Sequence, residues 1–210
     1  MKRCFYYAII SLLVIQSVSF AQDGPINLSG RHSIFIDGGF KTNSTTSVII
    51  SSGTVETNTG FVGSINYSYW FENEWAMTFS AGVFGASTST KFNGVETSGI
   101  VPLLFGVRYY PEKLSLGSKG RFYAGLSLGQ YIGFATQAIK TESIFGAQAE
   151  TISESVFGGT ADLGIDVFVA SWFKIGPKLS YHFLSDYNKI IGTRKNLSGT
   201  SFAIEFGFVL

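Results

Sequence analysis

The chain has 210 residues, enough for one domain or two small ones. Its 15 Lys and Arg residues almost balance 14 Asp and Glu residues, and this net charge of +1 argues against a nucleic-acid-binding protein that relies on a basic surface. Charged residues make up only 14% of the chain, whereas Phe numbers 20 and Tyr 10, a composition that excludes a disordered protein and favours sheet over helix.

Residues 1–21 have the pattern of a secretory signal peptide. Lys2 and Arg3 form a short positive start, residues 5–18 are almost wholly apolar, and Ser19 and Ala21 are small residues at the −3 and −1 positions of a cleavage site. The apolar run is shorter than the ~20 residues of a membrane-spanning helix. We therefore expect a mature domain of residues 22–210, without cysteine and so without disulfides or thiolate chemistry.

Eight segments of the mature chain alternate apolar and polar residues with a period of two, which is typical of β-strands. The stretch at 122–139 is as long as a membrane helix, but its glycines and its alternation indicate a strand followed by a loop. The predicted strands lie at about 32–41, 58–70, 75–86, 99–110, from 122 to about 133, 156–169, 173–183 and 200–210.

Charged residues occur on only one face of these segments. The apolar faces are rich in Phe, Tyr, Leu, Ile and Val, and the opposite faces hold Gly and Ser together with Asp37, Arg108, Asp162, Asp166, Lys174, Lys178 and Glu205. Segments of about ten residues with an apolar outer face and a polar inner face are typical of transmembrane β-barrels. A soluble β-sandwich with its apolar faces inward is the alternative, but the small polar-face residues suit the crowded interior of a narrow barrel better. We expect the seven charged residues to form an interior network of ion pairs.

Short and long connections alternate along the chain. The joins at 71–74 and 170–172 are tight, the join at 111–120 is longer, and four long connections are predicted at 42–57, 87–98, 134–155 and 184–199. Outer-membrane barrels have short periplasmic turns and long external loops. Aromatic residues concentrate near the tight joins, where they predict a periplasmic interfacial girdle of Trp70, Trp75, Trp172, Tyr69 and Tyr109.

The sequence resembles the small outer-membrane β-barrel proteins of the OmpA/OmpX/OmpW type. The likeness rests on residues 69–76 (YWFENEWA), 101–111 (VPLLFGVRYYP) and 122–129 (FYAGLSLG), and on the tail 202–210. It implies an all-β, eight-stranded antiparallel up-and-down barrel in the bacterial outer membrane, surrounded by outer-membrane lipids and lipopolysaccharide. It also implies that the barrel-assembly machinery reads the tail, although this chain ends in Leu210 where the family usually has Phe.

We expect a non-enzymatic protein with a side-chain-filled interior, no cofactor, and a role in envelope structure or in surface recognition through its external loops. One alternative, implied by the OmpW likeness, is a conduit for small hydrophobic molecules whose cavity is lined by Phe35, Phe84 and Tyr131. Another is a lipid A-modifying enzyme, but Ser180 and His182 share the inward face, so we expect His182 to be a hydrogen-bonded interior residue. Two His residues and no mature Cys make a transition-metal site unexpected.

Overall fold

The computed structural model describes residues 26–44, 59–91, 94–140, 147–191 and 194–210. The predicted signal peptide at 1–21 and most of the predicted connection at 42–57 lie outside these ranges. No helix in the described part of the chain is long and apolar enough to cross a membrane. The described elements are β1 (His32–Asn43), β2 (Thr59–Trp70), β3 (Trp75–Lys91), β4 (Gly94–Tyr109), a 3-10 helix (Glu112–Leu114), β5 (Ser115–Leu116), β6 (Gly120–Lys140), β7 (Ala147–Ala170), β8 (Phe173–Leu184) and β9 (Gly199–Val209).

Eight long strands form one closed antiparallel sheet in which each strand pairs with its neighbours in the chain. β4 pairs directly with β6, while the two-residue β5 pairs only with the start of β6. β1 pairs with β9 from Ser33–Val209 to Asn43–Gly199 and so closes the barrel. The predicted eight-stranded up-and-down barrel is therefore confirmed. We call the end with the tight joins 71–74 and 171–172 the turn end, and the opposite end the loop end.

The apolar residues of each strand lie on the outside of the barrel. Ile36, Phe105 and Leu163 expose 55%, 59% and 61% of their surface, whereas their inward neighbours Asp37 and Arg108 are buried. Within the apolar belt, the outward row of the described strands holds no Asp, Glu, Lys or Arg. An exterior of this kind is stable only against hydrocarbon, because a soluble protein does not expose an apolar belt that encircles it.

The strands at the loop end are longer than the sequence pattern predicts. β6 continues to Lys140 and β7 begins at Ala147, so most of the predicted connection at 134–155 is strand, and the interpretation of 122–139 as a strand followed by a loop is wrong. The predicted connection at 87–98 is also mostly strand. These strand ends have no apolar face, so the alternation of apolar and polar residues does not reveal them. Their polar side chains still pair across the ladder, as Thr136 and Thr151 do with hydroxyls 3.2 Å apart.

Two inward glycines let neighbouring backbones approach closely in this narrow barrel. A Cβ atom on Gly39 would lie 1.9 Å from the carbonyl oxygen of Phe202, and one on Gly129 would lie 2.0 Å from that of Leu103. These contacts are much shorter than any side chain tolerates, so the curvature of the wall depends on glycine at these places.

We expect an arginine to be tolerated outside the apolar belt but not within it. Leu126 lies near the middle of the belt, and Leu116 lies in β5, in the connection between β4 and β6 at the turn end. The two residues form a matched pair because both are 52% exposed. Leu126→Arg should lower the free energy of unfolding by about 2–4 kcal/mol and Leu116→Arg by about 0–1 kcal/mol, because the cost of a cation falls with distance from the bilayer midplane. Urea unfolding of the protein in lipid vesicles measures both values, and equal values for the two variants would contradict the assignment of the belt.

Candidate functional site: the filled interior of the barrel

The central layer of the interior is a network of ion pairs between opposite strands. Arg108 of β4 donates two hydrogen bonds, of 3.1 and 2.7 Å, to the Glu205 carboxylate of β9. Lys178 of β8 lies 3.3 Å from Glu205 and also donates to Asp37 of β1. Ser64 donates a 2.7 Å bond to the same Asp37 carboxylate. This network crosslinks five strands, β1, β2, β4, β8 and β9, through the barrel interior.

A second ion pair lies closer to the turn end. Lys174 and Asp166 are both fully buried, and the Lys174 ammonium donates a 2.7 Å hydrogen bond to the Asp166 carboxylate. The Tyr110 hydroxyl donates to the same oxygen at 3.0 Å, and the Tyr123 hydroxyl donates to Glu205 at 3.0 Å. The rings of Tyr110 and Tyr123 lie 5.5 Å apart, so the two tyrosines connect the two groups of ion pairs. Their hydroxyls also supply donors to the buried carboxylates, which need several hydrogen bonds to remain charged.

Aromatic rings cover the cations of both groups. The Phe35 ring centre lies 4.8 Å from the Arg108 guanidinium carbon and 4.3 Å from the Lys174 ammonium. The Tyr123 ring covers Arg108 at 4.3 Å, and the Trp70 ring lies 5.4 Å from Lys174. Cation–π attraction is stronger where water is excluded, so these rings stabilise the charges inside the barrel.

The structure places all seven predicted charged residues on the inward face. It brings six of them into the ion pairs just described, and it places Asp162 beside a small polar cavity that Lys178 also lines. The cavity has a volume of about 40 Å³, which is room for a few water molecules. The sequence pattern left the pairing of these residues open, since that pairing depends on how the sheet curls.

The turn end of the interior is closed by an aromatic cluster. Its buried members are Leu28, Trp70, Ala76, Tyr110, Tyr123, Phe168 and Val209. The segment at 26–30 lies across this end, where Leu28 is fully buried and the Arg121 guanidinium donates to the carbonyl of Ile26 at 2.5 Å. The role of this segment had no sequence signal, because a single leucine in a short polar stretch has no periodicity.

Trp70 belongs to this cluster, so the prediction that it is part of the interfacial girdle is wrong. Its side chain is 0% exposed, and its ring lies 5.8 Å from that of Tyr110 inside the barrel. The alternation along β2 explains the difference, because Asn66, Ser68 and Trp70 form the inward row. Nearness to the turn does not decide on which face a tryptophan lies.

The other four predicted girdle residues lie on the outer wall near the turn end. Trp75 is 37% and Trp172 58% exposed. The rings of Trp75 and Tyr109 lie 4.7 Å apart, and Tyr69 lies 4.8 Å from the ring of His32. Trp and Tyr side chains on the outer wall near one end of the barrel are what a membrane interface favours.

The loop end of the interior is closed by an apolar cluster. Its barrel members include Val62, Phe84, Ile100, Leu104, Tyr131, Leu184 and Ala203. Residues Tyr187, Ile191 and Leu197 of the connection between β8 and β9 pack onto it from above and are almost fully buried. We call residues 185–191 and 194–198 the mouth segment.

Hydrogen bonds hold the mouth segment in the barrel opening. The Tyr187 hydroxyl donates to the carbonyl of Tyr131 at 3.1 Å, and the buried Lys41 ammonium donates to the carbonyl of Leu197 at 2.6 Å. The Glu154 carboxylate accepts hydrogen bonds from the backbone N–H groups of Asn188 and Lys189. These bonds, with that of Lys189 contributing most, hold the pKa of Glu154 below its usual range.

His182 lies in the interior, as predicted, and is hydrogen-bonded. Its Nε2 atom lies 3.0 Å from the Ser201 hydroxyl and its Nδ1 atom 3.4 Å from the Tyr131 hydroxyl. Ser180 is buried two residues away, but the serine at the imidazole is Ser201 of β9, the cross-strand partner of Ser180. A tyrosine rather than a carboxylate lies at Nδ1, so this group lacks the third member of a hydrolase triad.

Within the described ranges, no group of three or more His, Cys, Asp and Glu residues could hold a metal ion.

We expect the central ion pairs to be necessary for the stability of the barrel. Glu205→Gln leaves two buried cations with one carboxylate, and removing one partner of a buried ion pair costs about 3–5 kcal/mol. Glu72→Gln makes the same chemical change at an exposed turn residue and should change the free energy of unfolding by less than about 0.5 kcal/mol. Urea unfolding in vesicles compares the two variants, and a small effect of Glu205→Gln would mean that the network is not structural.

Comparison with known proteins supports the architecture through structure alone. No family model matches the sequence, and no curated protein matches it. Solved structures with similar folds include OprG of Pseudomonas aeruginosa, at a TM-score of 0.56 and 13% identity over 90% of this chain and 99% of that one. The attachment invasion locus protein Ail of Yersinia pestis has a TM-score of 0.53 and 14% identity over 87% and 99%.

Neisserial surface protein A has a TM-score of 0.53 and 14% identity over 87% of this chain and 97% of that one. These likenesses show that the chain has the fold of the small eight-stranded outer-membrane barrels. The apolar exterior of this fold is the surface that contacts hydrocarbon in a membrane.

Proposed function

We propose that the protein is a non-enzymatic barrel of the bacterial outer membrane, with a role in envelope structure or in surface recognition by its loop-end segments. The observation that carries this proposal is the filled interior, in which an aromatic cluster, a charged layer and an apolar cluster follow one another from the turn end to the loop end. An interior of this kind makes the barrel rigid. Loops on a rigid scaffold are common sites of recognition.

In this proposal the turn end faces the periplasm and the loop end faces outward. Short turns at one end and longer strands at the other support this orientation, because outer-membrane barrels have short periplasmic turns and long external loops. β6 and β7 remain paired up to Lys140 and Ala147, so they project beyond the apolar belt. The outer leaflet partner is then lipopolysaccharide, and the tail ending in Leu210 is the segment read by the barrel-assembly machinery.

What is known of one similar barrel supports recognition as a role. Ail is the attachment invasion locus protein of its organism, and it has been solved in complex with the heparin analogue sucrose octasulfate. A similar scaffold therefore carries a ligand-binding surface in another protein. The burial of His182 in the interior supports a non-enzymatic role here, since a lipid A-modifying enzyme needs its catalytic group at the lipid surface.

The second candidate function is a conduit for small hydrophobic molecules, and the apolar cluster at the loop end favours it. Phe84 and Tyr131, two of the three residues predicted to line such a cavity, lie in this cluster, with ring centres 5.7 Å apart. Phe35 does not, because it covers the cations of the deeper layers. Passage would require the mouth segment to leave the opening, since Tyr187, Ile191 and Leu197 fill it.

We expect the folded protein to form no stable channel. Planar-bilayer recordings of the wild type should show no persistent conductance steps, and the double variant Tyr187→Ala/Ile191→Ala should also show none, because the charged layer below remains in place. Large and stable steps in the wild type would contradict a filled interior. Steps that appear only in the double variant would mean that the mouth segment alone closes the barrel, as the conduit hypothesis requires.

The loop-end segments are expected to be dispensable for folding and necessary for recognition. Replacing residues 45–58 and 141–146 by short turns should leave the heat-modifiable gel mobility of the barrel unchanged, because the described strands and interior layers are kept. Adherence of bacteria that express the protein to a surface coated with serum proteins should fall at least tenfold. A control that replaces only residues 71–74 at the turn end should adhere like the wild type. Adherence that is unchanged after the loop-end replacement would contradict the recognition role.

A further inference from the structure

The outer wall contains an apolar recess near the turn end that the functions above do not use. It has a volume of about 440 Å³ and extends across β4, β6, β7, β8 and β9. Its lining is almost wholly apolar, and its outward side chains lie in the belt that contacts lipid. A concavity in a wall that contacts lipid requires an explanation of its own.

A small residue in the wall produces the recess. Ala124 is an outward alanine between the much larger Phe122 and Leu126 on the same face of β6. Leu163 and Leu179 stand around this low area and form its rim.

The turn-end side of the recess is formed by the excursion between β4 and β6. Pro111 and Leu114 of this excursion line the recess, and Leu114 is 59% exposed. Lys113 lies between them in sequence, at the exposed 3-10 helix, and Tyr109 of the interfacial aromatic group also lines the recess. The recess thus runs from the hydrocarbon zone toward the interface, and the exposed residue that precedes Leu114 in the chain is a cation, Lys113.

We propose that this recess binds one acyl chain of an anionic phospholipid, in the leaflet at the turn end, with the phosphate beside Lys113. A chain in a concave apolar site touches protein on several sides and gains more dispersion contacts than a chain against the convex wall. The recess opens into hydrocarbon, so an apolar chain is available to it. A lysine at the membrane surface attracts anionic lipid headgroups.

The wall offers a matched pair of alanines to test this. Ala124 lines the recess. Ala161 on the adjacent strand also points outward but does not line the recess, because it lies opposite Leu126, one outward residue farther from the turn end than Ala124. Ala124→Trp fills the recess, and Ala161→Trp adds the same bulk to the wall outside it. Heat-modifiable gel mobility shows whether each variant folds, and Ala124→Leu serves as the milder filling change if Ala124→Trp does not.

Native mass spectrometry of the detergent-solubilised barrel with added phosphatidylglycerol measures the binding. The wild type and Ala161→Trp should retain one lipid per barrel, and the filling variant should retain at least tenfold less. Lys113→Gln should remove the preference for phosphatidylglycerol over phosphatidylcholine while some lipid remains bound. Equal retention by wild type and filling variant would overturn the proposal, as would a headgroup preference unaffected by Lys113→Gln. A dimer of the chain that disappears in the filling variant would also overturn it, because the recess would then bind a second copy.

Discussion

Hydrocarbon offers no hydrogen-bond partner to a backbone N–H or C=O group, and the rest of the structure follows from this constraint. A sheet can satisfy it only by closing on itself, as β1 and β9 do through an uninterrupted antiparallel ladder. Closure in turn divides every strand into an outward row and an inward row. The outward row must be apolar, and every polar side chain within the belt must therefore find its partners inside the barrel.

The interior satisfies this requirement by arranging polar and apolar groups in layers. Arg108 and Lys178 are neutralised by Glu205 and Asp37 in the middle of the interior. Aromatic rings above and below exclude water and attract the cations through their faces. The layers depend on each other, because ion pairs are strong only when desolvated, and desolvated ions are stable only when paired. A rigid scaffold results, with little space left for solutes.

The two ends of the barrel are closed by segments that are not barrel strands. At the turn end the segment at 26–30 inserts Leu28 beneath Trp70 and Tyr110, and at the loop end the mouth segment inserts Tyr187 above Tyr131. Both are local chain excursions whose apolar residues have no periodic pattern. The packing of the mouth segment decides whether the apolar cluster at the loop end can be reached from outside, and so it bears on the choice between the two candidate functions, while the charged layer fills the barrel below it.

The sequence by itself determined the number of strands, the face of most strand residues and the exclusion of charge from the apolar belt, because a period of two is a local property of an extended chain. It did not determine where β6 and β7 end, since Ser- and Thr-rich strands in water lack an apolar face. Only the tertiary structure decided which charges pair, that Trp70 lies inside, that Ser201 rather than Ser180 contacts His182, and that the wall is recessed at Ala124. Each of these depends on distances across or around a closed barrel, between residues far apart in the chain, and such distances arise only when the sheet curls and closes.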